Sequence, residues 1–273
     1  MTRKITIIKL GGSLLTDKST PYTANKEIIT SVIRELKECI DFGLIEDLIL
    51  VHGVGSFGHP PVLRYKLHLG FQNPDQLISM SETQHTINQY RLMLTQEFID
   101  AGIPVNLMHP SSFCINETMK ISDSFLKAVQ GFLSLGMIPL VGGDMLFDSK
   151  MGFSVGGGDQ LTALFAKRFY AENVIFVTDV EGIYTKNPKQ FQDAKLIPSI
   201  NMIHLSKIIE KTDNSSLKDA SGAMKGKLQT ILSLRDEIVK GTKVSILSMI
   251  NYGNLKSLLG NKGESIRYTS FVQ

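Results

Sequence analysis

Short apolar runs rich in isoleucine and valine recur along the chain, separated by longer stretches in which apolar residues return every three or four positions. That alternation predicts an α/β fold, a three-layer sandwich with a mainly parallel central sheet. A strand buried on both faces can be apolar throughout, whereas a covering helix needs only one apolar stripe. Residues 5–10 read as the first strand. Ile28, Ile29, Val32, Ile33, Leu36 and Ile40 then recur at helical spacing until Gly43 ends the pattern, and residues 48–51 read as a second strand. The same reasoning predicts helices over 75–101, 122–135, 159–170 and 225–240, and strands over 105–108, 137–141, 174–178 and 244–247. The glycine-rich stretch 142–158 is expected to hold a hairpin turning at Asp148-Ser149-Lys150. No linker or internal repeat interrupts the series, which predicts one compact domain over residues 1–273 with two lobes, about 1–170 and about 171–273.

Composition narrows the function classes more than the fold. A chain of 273 residues, 42% hydrophobic and 20% charged, can bury a core without covalent staples. Its 29 Lys+Arg against 26 Asp+Glu leave a net charge of +3, far from the dense basic face that nucleic-acid binding requires. Cys39 and Cys114 stand far apart without metal-ligand spacing, so no disulfide framework or zinc site is expected and a reducing cytoplasm fits. The first apolar run is too brief for a signal peptide or a membrane span.

The candidate chemistry lies in glycine-rich turns that follow the predicted strands. Glycine lets backbone N–H groups approach an anion closely, and ligands in α/β sheets sit beyond the carboxyl ends of the strands. The first strand enters Lys9-Leu10-Gly11-Gly12-Ser13, with Lys18 nine residues after Lys9, and the second enters His52-Gly53-Val54-Gly55-Ser56-Phe57-Gly58-His59. Gly53, Gly55 and Gly58 match G-x-G-x-x-G, so a nicotinamide-dependent dehydrogenase is one reading. It needs a helix opening at once and a strand ending in an acid about 20 residues on. Pro60 and Pro61 are expected to interrupt that helix or confine it to its first turn, and Asp75 starts a helix instead of ending a strand. No Walker-type P-loop and no protein-kinase catalytic loop occurs. Later turns at Thr178-Asp179-Val180-Glu181-Gly182-Ile183-Tyr184-Thr185 and Asp219-Ala220-Ser221-Gly222-Ala223-Met224-Lys225-Gly226-Lys227 add an acidic strand end and a lysine-bearing helix entry. Taken singly, His52, His85 and His109 read as structural, Met80, Met93 and Met108 as core, Lys18 as a solvated loop residue, and Asp159 as a helix cap.

In this order the five segments resemble the amino acid kinase superfamily over nearly the whole chain. Within it, Lys9 to Ser13 with Lys18, and above all Gly55-Ser56-Phe57-Gly58-His59, look like the isopentenyl phosphate kinases. The histidine separates these and the related fosfomycin kinases from kinases acting on carboxylates. The resemblance implies ATP with Mg2+, an acceptor-binding first lobe, a nucleotide-binding second lobe and a homodimer. It also implies that Lys9 and Lys227 stabilise the transferring group, that Lys18 supports the acceptor side, and that Asp159 orients the lysines. Val54, Gly58, His59 and Gly158 would hold the acceptor phosphate. Gly11, Gly12, Ser13 and Gly55 would meet the ATP phosphates, with Thr178, Asp179, Gly182, Tyr184 and Gly222 around the nucleotide. Alternatives are a phosphonate kinase of the same fold and a nucleotide-binding protein without turnover. The chain departs from the pattern at Val54, at Ala223 and at Gln160. It departs again in the polar run 81–90 on the helix expected to line the acceptor tail.

Overall fold

The computed structural model describes residues 4–17, 19–214, 223–260 and 266–273. From the N-terminus, β1 (Ile5–Leu10) runs into a single turn, α1 (Gly12–Leu15), and α2 (Lys26–Asp41) returns the chain to β2 (Asp47–His52). α2 buries Ile29, Val32, Ile33 and Leu36 of the predicted stripe and half-buries Ile28 and Ile40, while Glu35 and Cys39 join the buried face. α3 (Gly55–Arg64) and the long α4 (Gln76–Asp100) lead to β3 (Val105–Leu107). A hairpin of β4 (Cys114–Glu117) and β5 (Lys120–Ser124) precedes α5 (Lys127–Ser134) and β6 (Ile138–Gly142). A second hairpin, β7 (Asp144–Asp148) and β8 (Gly152–Gly156), precedes α6 (Gly158–Phe169) and β9 (Asn173–Thr178). The chain continues through β10 (Ile183–Tyr184), β11 (Leu196–Ile197), β12 (Ser199–Asn201) and α7 (Met202–Asn214). It closes with α8 (Ala223–Leu232), α9 (Arg235–Val239), β13 (Lys243–Ser248), α10 (Asn254–Leu259) and β14 (Tyr268–Val272).

Eight strands form one sheet in the order β12-β14-β13-β9-β1-β2-β6-β3, parallel throughout except where β13 meets β14. Successive residues of the central strands feed opposite cores: Ile7, Ile49 and Phe176 lie in one, Ile8, Leu50 and Val177 in the other. Burial on both faces is why these strands are apolar without alternation. The register pairs Leu10 with His52 and with Val177, so β1, β2 and β9 end side by side and their glycine turns emerge at one edge. The two hairpins build a separate four-stranded sheet, β5-β4-β7-β8.

Three sequence expectations fail. Residues 122–124 belong to β5 and only 127–134 are helical, because the chain reverses at Thr118 and Met119 in left-handed conformation (φ 51° and 64°). Both N–H groups of that turn are held by the distant carboxylate of Asp148. The stretch 225–240 is broken at Ser233-Leu234, where the Leu234 N–H bonds back three residues to Ile231 and the Leu234 side chain is fully buried. Finally, α3 runs through Pro60 and Pro61. Pro60 cannot donate to the Ser56 carbonyl, and the Tyr22 N–H from a neighbouring loop takes that carbonyl at 3.2 Å instead. The helix therefore does open directly after the second strand, as a dinucleotide fold would ask. Asp75, however, sits at the N-terminus of α4 and not at a strand end.

Candidate active site

The first two glycine turns touch backbone to backbone. The Gly11 N–H donates to the Val177 carbonyl at 2.8 Å and the Gly53 N–H to the Leu10 carbonyl at 2.8 Å, which staples both turns to the ends of β9 and β1. A Cβ on Gly53 would fall 2.4 Å from the Gly12 nitrogen, and one on Gly12 would fall 2.6 Å from the Gly55 nitrogen. No side chain fits between such turns, so glycine is required at Gly12 and Gly53. Thr16 locks the pair: its hydroxyl donates to the Gly12 carbonyl at 2.7 Å and accepts the Ser56 N–H at 3.0 Å.

Beside these turns three charged side chains converge. Lys9 Nζ lies 3.0 Å from Asp159 Oδ1, and Lys227 Nζ lies 3.4 Å from the same oxygen. Lys9 comes from β1, Asp159 from the first turn of α6 and Lys227 from α8, so segments more than 200 residues apart meet at one atom. Both lysines are buried. Burial works to raise the Asp159 pKa, but the charges of Lys227 and Lys9 outweigh it and hold the carboxyl down to about 2. Burial lowers the Lys227 pKa; Asp159 opposes that fall and Lys9 adds to it. Among the described residues, two cations sharing one carboxylate leave a buried positive charge uncompensated, which an arriving polyanion would stabilise.

The N-terminus of α6 opens onto this cluster. Gly158 stands where a Cβ would be 3.6 Å from Lys9 Cε, and α6 has no side-chain cap. Its first N–H groups and helix dipole therefore favour an anion at that point. Val54 precedes α3 with its side chain against Gly58 and Gly143, and Gly58 is buried. His59 lies in the first turns of α3 on its exposed side. Thr178 ends β9 next to Gly11 and donates its hydroxyl to Asp179 Oδ1 at 3.1 Å. Asp179 pairs with Lys189, Gly182 packs against Thr269, and Tyr184 bonds Glu181 while accepting from Arg267 at 3.3 Å. Ser13 lies in α1, directly after the first turn. Lys18 and Gly222 lie outside the described residues.

The structure therefore gathers Lys9, Asp159, Lys227, Gly158 and the turns at 11–12 and 53–55, and sets Asp179, Gly182 and Tyr184 beyond the end of β9. Thr16, the tie between turns, was missed because a single threonine carries no motif. Arg91 was missed too, although an arginine among the buried α4 positions Ile87, Tyr90, Leu94 and Phe98 is a readable signal. His52, read as structural, is buried at the end of β2. Burial and the nearby Arg91 push its pKa down to about 3, so its imidazole is neutral.

A family model described as the amino acid kinase family matches residues 4–248. An isopentenyl phosphate kinase of Methanothermobacter thermautotrophicus is 33% identical, the match covering 96% of this chain and 98% of the relative. An isopentenyl phosphate kinase of Methanocaldococcus jannaschii is 30% identical over 83% of this chain and 86% of its own. A solved isopentenyl phosphate kinase structure superposes with a TM-score of 0.82 at 30% identity, covering 98% of this chain and 100% of that one. Among the described residues no helix is long and apolar enough to cross a membrane.

Proposed function

The chain belongs to the amino acid kinase family, and from that premise we propose that it transfers the γ-phosphoryl group of ATP to the phosphate of isopentenyl phosphate, giving isopentenyl diphosphate. The observation that carries this reading is the convergence of Lys9 and Lys227 on one oxygen of Asp159 at the mouth of the glycine turns. The names of the relatives support the choice of acceptor. A transferring phosphoryl group is loosely bonded and its charge spreads over three oxygens, so catalysis is mainly positioning and electrostatic stabilisation. Lys9 and Lys227 supply the cations, and Asp159 fixes where they point. An acceptor phosphate oxygen is already anionic near neutral pH and attacks in line without a general base.

In this reading the turns at Gly11, Gly12, Ser13 and Gly55 hold the nucleotide phosphates. Thr178, Asp179, Gly182, Tyr184 and Gly222 surround the rest of ATP. Val54, Gly58, Gly158 and His59 hold the acceptor phosphate, with Lys18 on the same side. Among the described residues no group of three or more His, Cys, Asp or Glu could hold a metal ion, and Asp159 is spent on two lysines. Mg2+ would arrive on the ATP phosphates, where it would neutralise their charge. A homodimer belongs to the same proposal, and light scattering of the purified protein tests it.

ADP release measured with isopentenyl phosphate, dimethylallyl phosphate and fosfomycin tests the acceptor. Isopentenyl phosphate should give the highest kcat/KM; release with none of the three would defeat the reading, and preference for fosfomycin would move it to phosphonates. His59→Ala should raise the acceptor KM at least about tenfold, the loss of one charge-assisted contact, while leaving the ATP KM unchanged.

A further inference from the structure

A polar cavity of about 200 Å3 lies against α4 and the 3-10 turn Pro110–Ser112, lined by Gln84, Asn88, Arg91, His109, Ser111, Ser112 and Asp144. None of these residues is among those placed at the nucleotide or the acceptor phosphate above, although Gln84 and Asn88 fall in the run 81–90 expected to line the acceptor tail. Its floor is Arg91, whose side chain is 1% exposed. Burying a guanidinium is expensive unless its donors are matched. Nη1 donates to Asn88 Oδ1 and His109 Nδ1, each at 2.9 Å, and Nη2 donates to the Gly143 carbonyl at 2.8 Å. Nε–H is buried without a partner among the described residues.

The rest of the lining has the same bias. A guanidinium only donates, so Asn88 must present its carbonyl to Arg91 and His109 its bare Nδ1. What they have left to offer is therefore the Asn88 amide N–H groups and the His109 Nε2–H. Asp144 is already engaged: Oδ1 accepts the Met145 N–H at 2.9 Å, while Oδ2 accepts the Ser111 N–H at 3.1 Å and faces Arg91 Nη2 at 3.5 Å. Ser111 and Ser112 are exposed and place two hydroxyls at the rim. Gln84 donates its amide to the Met145 carbonyl at 3.3 Å and keeps its own carbonyl as an acceptor; the unused capacity of Arg91, Asn88, His109 and the two serines is N–H and O–H, which complements a group made only of acceptors.

We propose that this cavity binds a small oxyanion, carboxylate or tetrahedral, against Arg91 Nε, with His109 Nε2–H and the Ser111 and Ser112 hydroxyls completing its contacts. Arg91 also holds the carbonyl of Gly143, and Gly143 packs against Val54, so the anion would sit one residue behind the acceptor turn. Selenate soaked into crystals grown with an ATP analogue should give an anomalous peak within hydrogen-bonding distance of Arg91 Nε; a cavity holding only water would overturn the proposal. In solution, sulfate, phosphate and acetate are titrated by calorimetry into the protein saturated with the same analogue. Ser111→Asp sets a like charge at the rim and should weaken binding at least about tenfold. Ser112→Asp is the second variant should the first not fold. Preference for acetate identifies a carboxylate ligand and preference for sulfate or phosphate a tetrahedral one, whereas unchanged affinity in the aspartate variant would again overturn the site.

Discussion

Two aspartates, Asp148 and Asp159, are held in opposite ways, and the difference separates scaffold from chemistry. Asp148 is fully buried at the end of β7 and accepts five hydrogen bonds: the N–H groups of Thr118, Met119, Lys150 and Met151, and the Ser154 hydroxyl at 2.7 Å. Burial alone would raise its pKa, yet these donors hold it well below the usual carboxylate range. No ligand is needed to complete that arrangement. Asp159 accepts from two lysines instead, and the three charges do not cancel. A buried charge matched by neutral donors organises two hairpins, whereas one overmatched by cations leaves positive potential at the end of the sheet.

The largest expected effect breaks the cationic side of this comparison. Lys9→Ala should lower kcat by about 10²–10³-fold with the fold retained, since one charge-stabilising contact to the transferring group is lost; single-turnover ADP release with circular dichroism as control measures it, and a near-normal rate removes Lys9 from the chemistry. Next comes Asp148→Asn, which should cost about 1–3 kcal/mol of stability by leaving buried N–H groups unmatched. Because the folded pKa of Asp148 is depressed, its contribution is fully present above the unfolded value of about 3.9 and is lost as pH falls towards the folded value. The gap between wild type and variant in urea unfolding should therefore be wide at pH 7 and narrow below about pH 4; a gap independent of pH contradicts the account.

The smallest effect sharpens the role of Lys227. Its lowered pKa means that the ammonium deprotonates below the ordinary lysine value of about 10.4, so kcat/KM for ATP should fall on the alkaline side before that point. Lys227→Arg stays charged and should remove this alkaline limb. An identical pH profile in that variant would assign the limb to another group.

Much of this was legible along the chain. Ile5 to Leu10 and the stripe of α2 announce their elements because burial demands an apolar residue at every strand position and at every third or fourth helix position. Lys9, Gly12 and Gly53 were legible as well, through turns whose close backbone approach only glycine allows, whereas Asp159 read as a helix cap and was singled out only by the resemblance to the family. Illegible were the β4–β5 hairpin, the break after Leu232 and the course of α3 through Pro60. Each depends on a partner far away in sequence: Asp148 for the Thr118-Met119 turn, the core around Leu234, and the Tyr22 N–H for the carbonyl that Pro60 leaves open.

Local pattern, then, determined which segments are strands and helices and which turns can meet an anion, because those properties depend on neighbours a few residues apart. Only the tertiary structure decided that Lys9 and Lys227 share one oxygen of Asp159, and that Arg91 faces inward with an unmatched N–H. Charge compensation in a buried site is a sum over groups brought together from distant parts of the chain, and that sum has no value until the chain has folded.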